Sequence, residues 1–320
     1  MNKGFLLFLV AGLIGALILI GFSFMIFADN VKNNPSGVHE LYIPSKSTYN
    51  DVKDILIDKE IISNLKSFDW VATKMNYPNT IEPGKYIISE NLSNRKLIQL
   101  LRYGIGEKEI EVTINNIDSP DELFEKISSF IEADKNSLKD VFNNDSILKA
   151  YHFTLDNAWA ITLADTYKFH WDTDAEAYFT KMLNEYDNYW TSNRKNAAAA
   201  KSLKPMDCII IASIIEKEST KTDEYSKIAG VYINRFQKGM PLQADPTVKF
   251  ALKDPSIQRV LLKHLTVDSP YNTYKYAGLP PGPICLPEKS TIDAVINAPE
   301  HDYLYFCASA DFSGYHTCLL

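Results

Sequence analysis

The segment Pro205-Met206-Asp207-Cys208-Ile209-Ile210-Ile211-Ala212-Ser213-Ile214-Ile215-Glu216-Lys217-Glu218-Ser219 decides how this chain reads. It is apolar on nearly every side until it meets charge, which predicts a helix buried in the middle of a domain with its C-terminal turn emerging at a surface or cleft. Glu216 sits at that emergence. A carboxyl group beside packed isoleucines loses hydration, which penalises the ionised form and raises its pKa. Glu216 is therefore expected to hold a proton near neutral pH, as a general acid must. Glu218, two positions on, lies about 200° further round the helix, so the two carboxylates are not expected to share a cleft as a glycosidase pair. Taken alone, Glu216 also reads as a helix-end carboxylate paired with Lys217 or Lys221.

Composition narrows the partners. The chain has 320 residues, enough for two domains, and carries 33 basic against 40 acidic side chains. No Lys/Arg cluster stands out that could neutralise a phosphate backbone, so nucleic acid is not an expected partner. The 12% aromatic content suits a sugar-binding cleft and an ordinary core alike. Cys208, Cys285, Cys307 and Cys318 are scattered without Cys-x-x-Cys spacing or a neighbouring His pattern, so no metal and no disulfide framework is expected. Cys208 reads as a small buried hydrophobe, and one long-range disulfide among the others is left open.

Phe5 to Phe27 contains no charged residue and is long enough to cross a hydrocarbon core of about 30 Å as a helix. A signal peptide would have a shorter apolar core, about 7 to 15 residues, and Ile26-Phe27-Ala28 is not an Ala-x-Ala cleavage site. Lys3 precedes the span, whereas Asp29 and Lys32 follow it nearly in balance. The positive-inside bias thus places the N-terminus in the cytoplasm and everything after Asp29 outside. The lipid bilayer is an expected partner through residues 5–27.

The expected organisation is α+β: an anchor with a cytoplasmic stub at 1–28, a polar tether at 29–40, a small α+β module at 41–114 and a larger, mainly helical domain with short strands at 115–320. In the module, strands are predicted at Leu41-Tyr42-Ile43 and Lys85-Tyr86-Ile87-Ile88. A helix opens at Ser47 or Thr48, another covers Leu65 to Met75, and a third is capped by Ser93 and ends before Gly104. A strand at Ile110 to Ile114 precedes Ser119-Pro120-Asp121-Glu122, a helix start with capping Ser, first-turn Pro and Glu three residues on. The Lys195 to Lys201 stretch is expected to continue a helix begun after Asp174.

Several motifs together resemble the endolytic murein transglycosylase, or YceG-like, family. They are Ala212-Ser213-Ile214-Ile215-Glu216-Lys217-Glu218-Ser219, Ile228-Ala229-Gly230-Val231-Tyr232-Ile233-Asn234-Arg235, Gly239-Met240-Pro241-Leu242-Gln243-Ala244-Asp245-Pro246-Thr247-Val248, Ser269-Pro270-Tyr271-Asn272-Thr273-Tyr274 and Gly278-Leu279-Pro280-Pro281-Gly282-Pro283-Ile284. Asp165-Thr166-Tyr167 and Tyr303-Leu304-Tyr305-Phe306 also fit. The resemblance runs from about Leu41 onward and is strongest from residue 165.

The resemblance implies a LysM-like small module and a lytic cut of peptidoglycan glycan strands. Glu216, the first of the Glu-Lys-Glu pair, would then be the catalytic acid. The sugar's own 6-hydroxyl would attack to leave a 1,6-anhydro-N-acetylmuramic acid end, with no cofactor or metal. It also implies a single-pass protein of the bacterial inner membrane with a periplasmic catalytic domain. Such a protein would work beside membrane-bound synthases and terminate strand elongation. Glu218, Gln243, Asp245, Thr247, Tyr271, Asn272 and Tyr274 are candidate substrate-binding residues, and each also has a structural reading: Asp245 can close a turn before Pro246, Asn272 can hold a loop. Gln243, Asp245 and Thr247 are expected in a non-helical stretch.

Two features depart from the family. Asn157 to Ala164 stands where a Leu-Glu-Gly-Tyr-like approach is usual. The chain also stops at His316-Thr317-Cys318-Leu319-Leu320, so a short C-terminal end with an uncovered strand edge is expected. The alternatives are a non-catalytic wall-binding scaffold and a water-using muramidase, for which Asp245 is the candidate second carboxylate.

Overall fold

The computed structural model describes residues 3–104, 109–254, 256–310 and 313–320. The chain divides into two compact units, Met1–Ile110 with Lys168–Thr173, and Glu111–Tyr167 with Asp174–Leu320.

The first unit opens with α1 (Lys3–Phe27), followed by β1 (Val38–Ile43), α2 (Tyr49–Asp58), α3 (Leu65–Lys74), β2 (Gly84–Ser89) and α4 (Asn94–Tyr103). Within α1, Phe8–Phe27 is long and apolar enough to cross a membrane. β1 and β2 pair antiparallel with Leu41 opposite Tyr86. The helices start where local chemistry directs: Thr48 forms a capping box with Asp51, Asn64 accepts from Ser67 N–H and Ser93 from Lys96 N–H. Each such cap satisfies an orphan amide and contributes about 1 kcal/mol. Leu41, Val52, Leu56, Phe68, Ile88 and Leu97 form the core beneath them.

Residues 29–40, expected as a tether, are built into this unit. Asn30, Val31 and His39 are buried, and isolated bridges join Asp29 to Ser93 and Val31 to Ile62. The polar side chains that suggested a loop are spent on internal hydrogen bonds, Asn30 Nδ2 donating to Asn94 Oδ1 at 2.6 Å.

The second unit is mainly helical. In chain order it contains most of β3 (Ile110–Ile114), α5 (Pro120–Ser128), α6 (Lys135–Phe142), α7 (Asp145–Ala150), most of β4 (Asp165–Phe169), α8 (Ala175–Tyr189) and α9 (Ser192–Ala200). There follow α10 (Pro205–Glu218), α11 (Tyr225–Gln237), α12 (Asp245–Leu252), α13 (Lys289–Ile296), β5 (Tyr305–Ala308) and β6 (His316–Leu319). β3 pairs with β4, and β5 with β6. The single helix expected from Asp174 through Lys201 is two. Trp190 leaves helical geometry to bury its ring, and Thr191 then caps α9 by accepting from Arg194 N–H.

The stretch Cys208 to Ile215 is buried at every position, so α10 is the central helix. Each isoleucine removed from water there contributes about 1.5–3 kcal/mol. α13 and α11 pack against it. All four cysteines are unpaired, and burial pushes the Cys208 thiol up to about 12. Cys307 lies opposite Thr317 and Cys318 opposite Phe306, so the two thiols face opposite sides of the β5–β6 hairpin.

Candidate active site

Three charged side chains leave the last turn of α10 in three directions. Glu216 turns toward the start of α13: its Oε2 accepts from Glu288 N–H at 2.9 Å and from the Thr291 hydroxyl at 2.9 Å. Thr291 is buried, so these two bonds tie the end of α10 to the head of α13. Beside it, burial and then the charges of Glu216 and Asp165 raise the pKa of Glu288. Burial also pushes Asp165 up, but the Lys289 ammonium and the Thr166 N–H outweigh it and hold Asp165 below the usual range. Lys217 pairs with Asp118 at 2.6 Å.

Glu218 turns into a cleft of about 1210 Å³ whose walls include Trp159, Asp245, Phe250 and Tyr271. Its Oε2 is buried without a hydrogen-bond partner among the described residues. Desolvation by burial, then the negative charge of Asp245, raise its pKa, against smaller opposing effects from His316, the Tyr232 hydroxyl and Lys249. A buried carboxyl with an idle oxygen costs stability unless something else uses it, so such a group in a cleft is a candidate for chemistry.

The cleft walls are anchored by long-range contacts. Asp245 opens α12, with Pro246 in the first turn where a missing N–H is harmless, and accepts from the Tyr274 hydroxyl at 2.6 Å. The stretch from Asp245 to Thr247 is therefore helical, contrary to the sequence expectation. Tyr271 packs on Phe250 with ring centroids 4.7 Å apart, and its hydroxyl donates to Asp156 Oδ1 at 3.2 Å. Gly282 runs so close to this wall that an added Cβ would lie 2.0 Å from the Asp156 carbonyl oxygen. Ser213, buried in α10, accepts from Ile284 N–H at 3.0 Å and so ties the Gly278 to Ile284 loop to the central helix.

Behind Glu218, the Ser219 hydroxyl donates to Glu224 Oε1 at 2.6 Å. Glu224 also takes the His316 N–H at 2.9 Å and lies 2.6 Å from His316 Nδ1. Burial raises the Glu224 pKa, but these bonds overcome it and hold the group below its ordinary value. The β5–β6 hairpin is thereby fastened to the exit of α10.

Of the residues singled out from sequence, Glu218, Asp245 and Tyr271 line the cleft, and Tyr274 reaches it through Asp245. Glu216 does not line it. Packing of α13 over its side of the turn has given that carboxylate two donors, whereas the isoleucines expected to desolvate it lie further back along α10. Gln243 accepts from Arg235 Nη2 at 2.6 Å with its backbone at φ 53°. Thr247 is buried against Thr273 at 2.8 Å, and the buried Asn272 donates to the carbonyls of Leu265 and Val267. These three shape the loops. Trp159, Asp156 and Phe250 were not singled out, although Trp159 lies in the Asn157 to Ala164 stretch that departs from the family pattern.

The chain is similar to several known proteins. The YceG-like family profile matches residues 41–318. The endolytic murein transglycosylase of Bacillus subtilis (strain 168) is 30% identical over 321 aligned positions, which cover 93% of this chain and 86% of that protein. The Streptococcus pneumoniae (serotype 2, strain D39) protein of the same name is 35% identical over 147 residues, 45% of this chain and 26% of that longer protein. A crystal structure of a YceG-like protein from Listeria monocytogenes superposes with a TM-score of 0.57 at 28% identity, covering 88% of this chain and 96% of that one. The chain belongs to the YceG-like family.

Proposed function

We propose that this chain is an endolytic murein transglycosylase in which Glu218, rather than Glu216, is the catalytic acid. The observation that carries this reading is the buried Oε2 of Glu218, without a hydrogen-bond partner among the described residues, in a cleft of about 1210 Å³. Burial and Asp245 favour the protonated form, which is the form that can donate.

In this mechanism Glu218 passes its proton to the glycosidic oxygen leaving N-acetylmuramic acid, and the C1–O bond breaks. The 6-hydroxyl of the same sugar attacks C1, and its proton returns to the Glu218 carboxylate, restoring the acid. The product end is a 1,6-anhydro sugar. Asp245, steadied by Tyr274, supplies negative charge beside the cationic centre, while the ring faces of Tyr271 and Phe250 offer apolar surface to sugar. The same Asp245 favours a second reading, in which it activates a water and the product end is reducing.

Residues 41–114, taken as a LysM-like module, would hold glycan. α1 would cross the inner membrane with its N-terminus in the cytoplasm, leaving the rest outside beside membrane-bound synthases, where cutting nascent strands ends their elongation. The test is mass analysis of purified glycan after digestion by the wild-type chain and by a folded Glu218→Gln variant. Anhydro ends from the first and intact strands from the second are expected. Reducing ends would replace the 6-hydroxyl with water, and full activity of the variant would remove Glu218 from the chemistry.

A further inference from the structure

The end of α1 is welded to the first unit without slack. The buried Asn94 donates from Nδ2 to the Met25 carbonyl at 2.9 Å, satisfying one of the carbonyls a helix end leaves open. Ile26 packs on the core of the unit, and Asp29 bridges to Ser93 immediately afterwards. α1 and the helices α3 and α4 are therefore one body.

That junction brings α3 and α4 alongside the apolar helix itself. Trp70 of α3 stacks on Phe22 with centroids 5.0 Å apart and planes 19° from parallel. Phe22 lies five residues before Phe27, so at a rise of 1.5 Å per residue Trp70 meets α1 about 7.5 Å inside the apolar stretch. Cations lie beside this contact and at the end of α1. Lys74 Nζ is 5.9 Å from the Trp70 ring centre, and the Arg95 guanidinium is 5.7 Å from that of Phe27. Lys66 is also exposed on the first turn of α3. The acid on α3, Asp69, is paired with Lys53 at 3.5 Å.

We propose that the α3–α4 face docks on the outer surface of an anionic bilayer, with Trp70 at the boundary between headgroups and acyl chains and Lys66, Lys74 and Arg95 among the headgroups. This rests on the reading that α1 crosses a membrane. Trp suits that depth because its ring is apolar while its N–H still needs a partner, and clustered cations beside a span are drawn to anionic lipid. A helix with a free linker would let the unit stand off; the Asn94, Phe22 and Asp29 contacts do not.

The experiment uses the full chain in vesicles of phosphatidylcholine with or without phosphatidylglycerol, carrying lipids brominated near the top of one acyl chain. Tryptophan quenching is compared between the wild type and Trp70→Phe, which removes Trp70 and leaves Trp159, Trp171 and Trp190. The expected result is quenching that disappears in Trp70→Phe, and falls roughly two-fold or more either in pure phosphatidylcholine or in a Lys74→Glu, Arg95→Glu variant. An equal signal from wild type and Trp70→Phe, with an N-terminal tag protected from external protease, would show that α1 spans but the unit stands off, overturning the docking. A tag cut from outside would overturn the spanning reading and the docking with it. Quenching indifferent to lipid charge and to the charge swaps would overturn the assignment to anionic headgroups.

Discussion

On one side of the last turn of α10, Glu216 reaches the head of α13, where two donors hold its carboxylate. On the other side Glu218, one residue further along than Lys217, opens on a cleft with a buried Oε2 that has no hydrogen-bond partner among the described residues. Both are glutamates at the end of one buried helix. What separates them is how the surroundings meet each carboxylate: Glu216 is supplied with two donors, whereas burial and the like charge of Asp245 raise the pKa of Glu218. The first carboxylate ties α10 to α13, and the second is left facing the cleft.

The largest test of this contrast is activity. Glu218→Gln keeps the shape but loses the transferable proton, and its rate on purified glycan strands should fall by about 10² to 10⁴-fold or more, the usual worth of general acid catalysis. Glu216→Gln, assayed in parallel, should keep most of the activity because Glu216 does not line the cleft. A reversed order would return the acid role to Glu216.

Stability should show the opposite ranking. Glu216→Ala leaves the Glu288 N–H and the buried Thr291 hydroxyl without their acceptor, and should cost about 1–3 kcal/mol in denaturant unfolding. Glu218→Gln should instead stabilise the protein at neutral pH. A group whose folded pKa is raised binds its proton more tightly in the folded state, so its cost is fully present above the folded pKa. That cost fades as pH falls toward the ordinary value of 4.5, where wild type and variant should converge. Melting curves across that range decide it; a variant less stable than wild type at neutral pH would contradict the desolvated state of Glu218.

The smallest effect is expected at Asp245. Its negative charge disfavours ionisation of Glu218, so Asp245→Asn should lower the Glu218 pKa and move the alkaline limb of the pH–rate profile toward acid. If Asp245 activates water instead, the same variant should lose rate across the whole profile and form fewer reducing ends.

Much of the fold was legible because it depends on short-range chemistry. Thr48, Ser93 and Ser119 cap helices through bonds to amides three residues on, and the uninterrupted apolar run in α10 can be satisfied only by burial on all sides. The apolar run of α1 was legible as one long helix in the same way. Where the sequence expectation failed, it had used a local pattern for a non-local question. The alanine-rich stretch of α9 favours helix but says nothing of Trp190 turning its ring inward to end α8. The polar residues at 29–40 look like a linker until Asn30 finds Asn94, 64 residues away.

The candidate site divides in the same way. By itself the sequence determined that a buried helix would end in two carboxylates about 200° apart, because helical geometry requires it. It could not say which of them would be covered. That was decided by tertiary contacts 72 and 75 residues distant, which bring Glu288 and Thr291 to Glu216, and by Asp245 and Tyr271 forming walls around Glu218. Helix periodicity sets the direction in which a side chain leaves; only the packing of the remaining chain sets whether it meets donors or an open cleft.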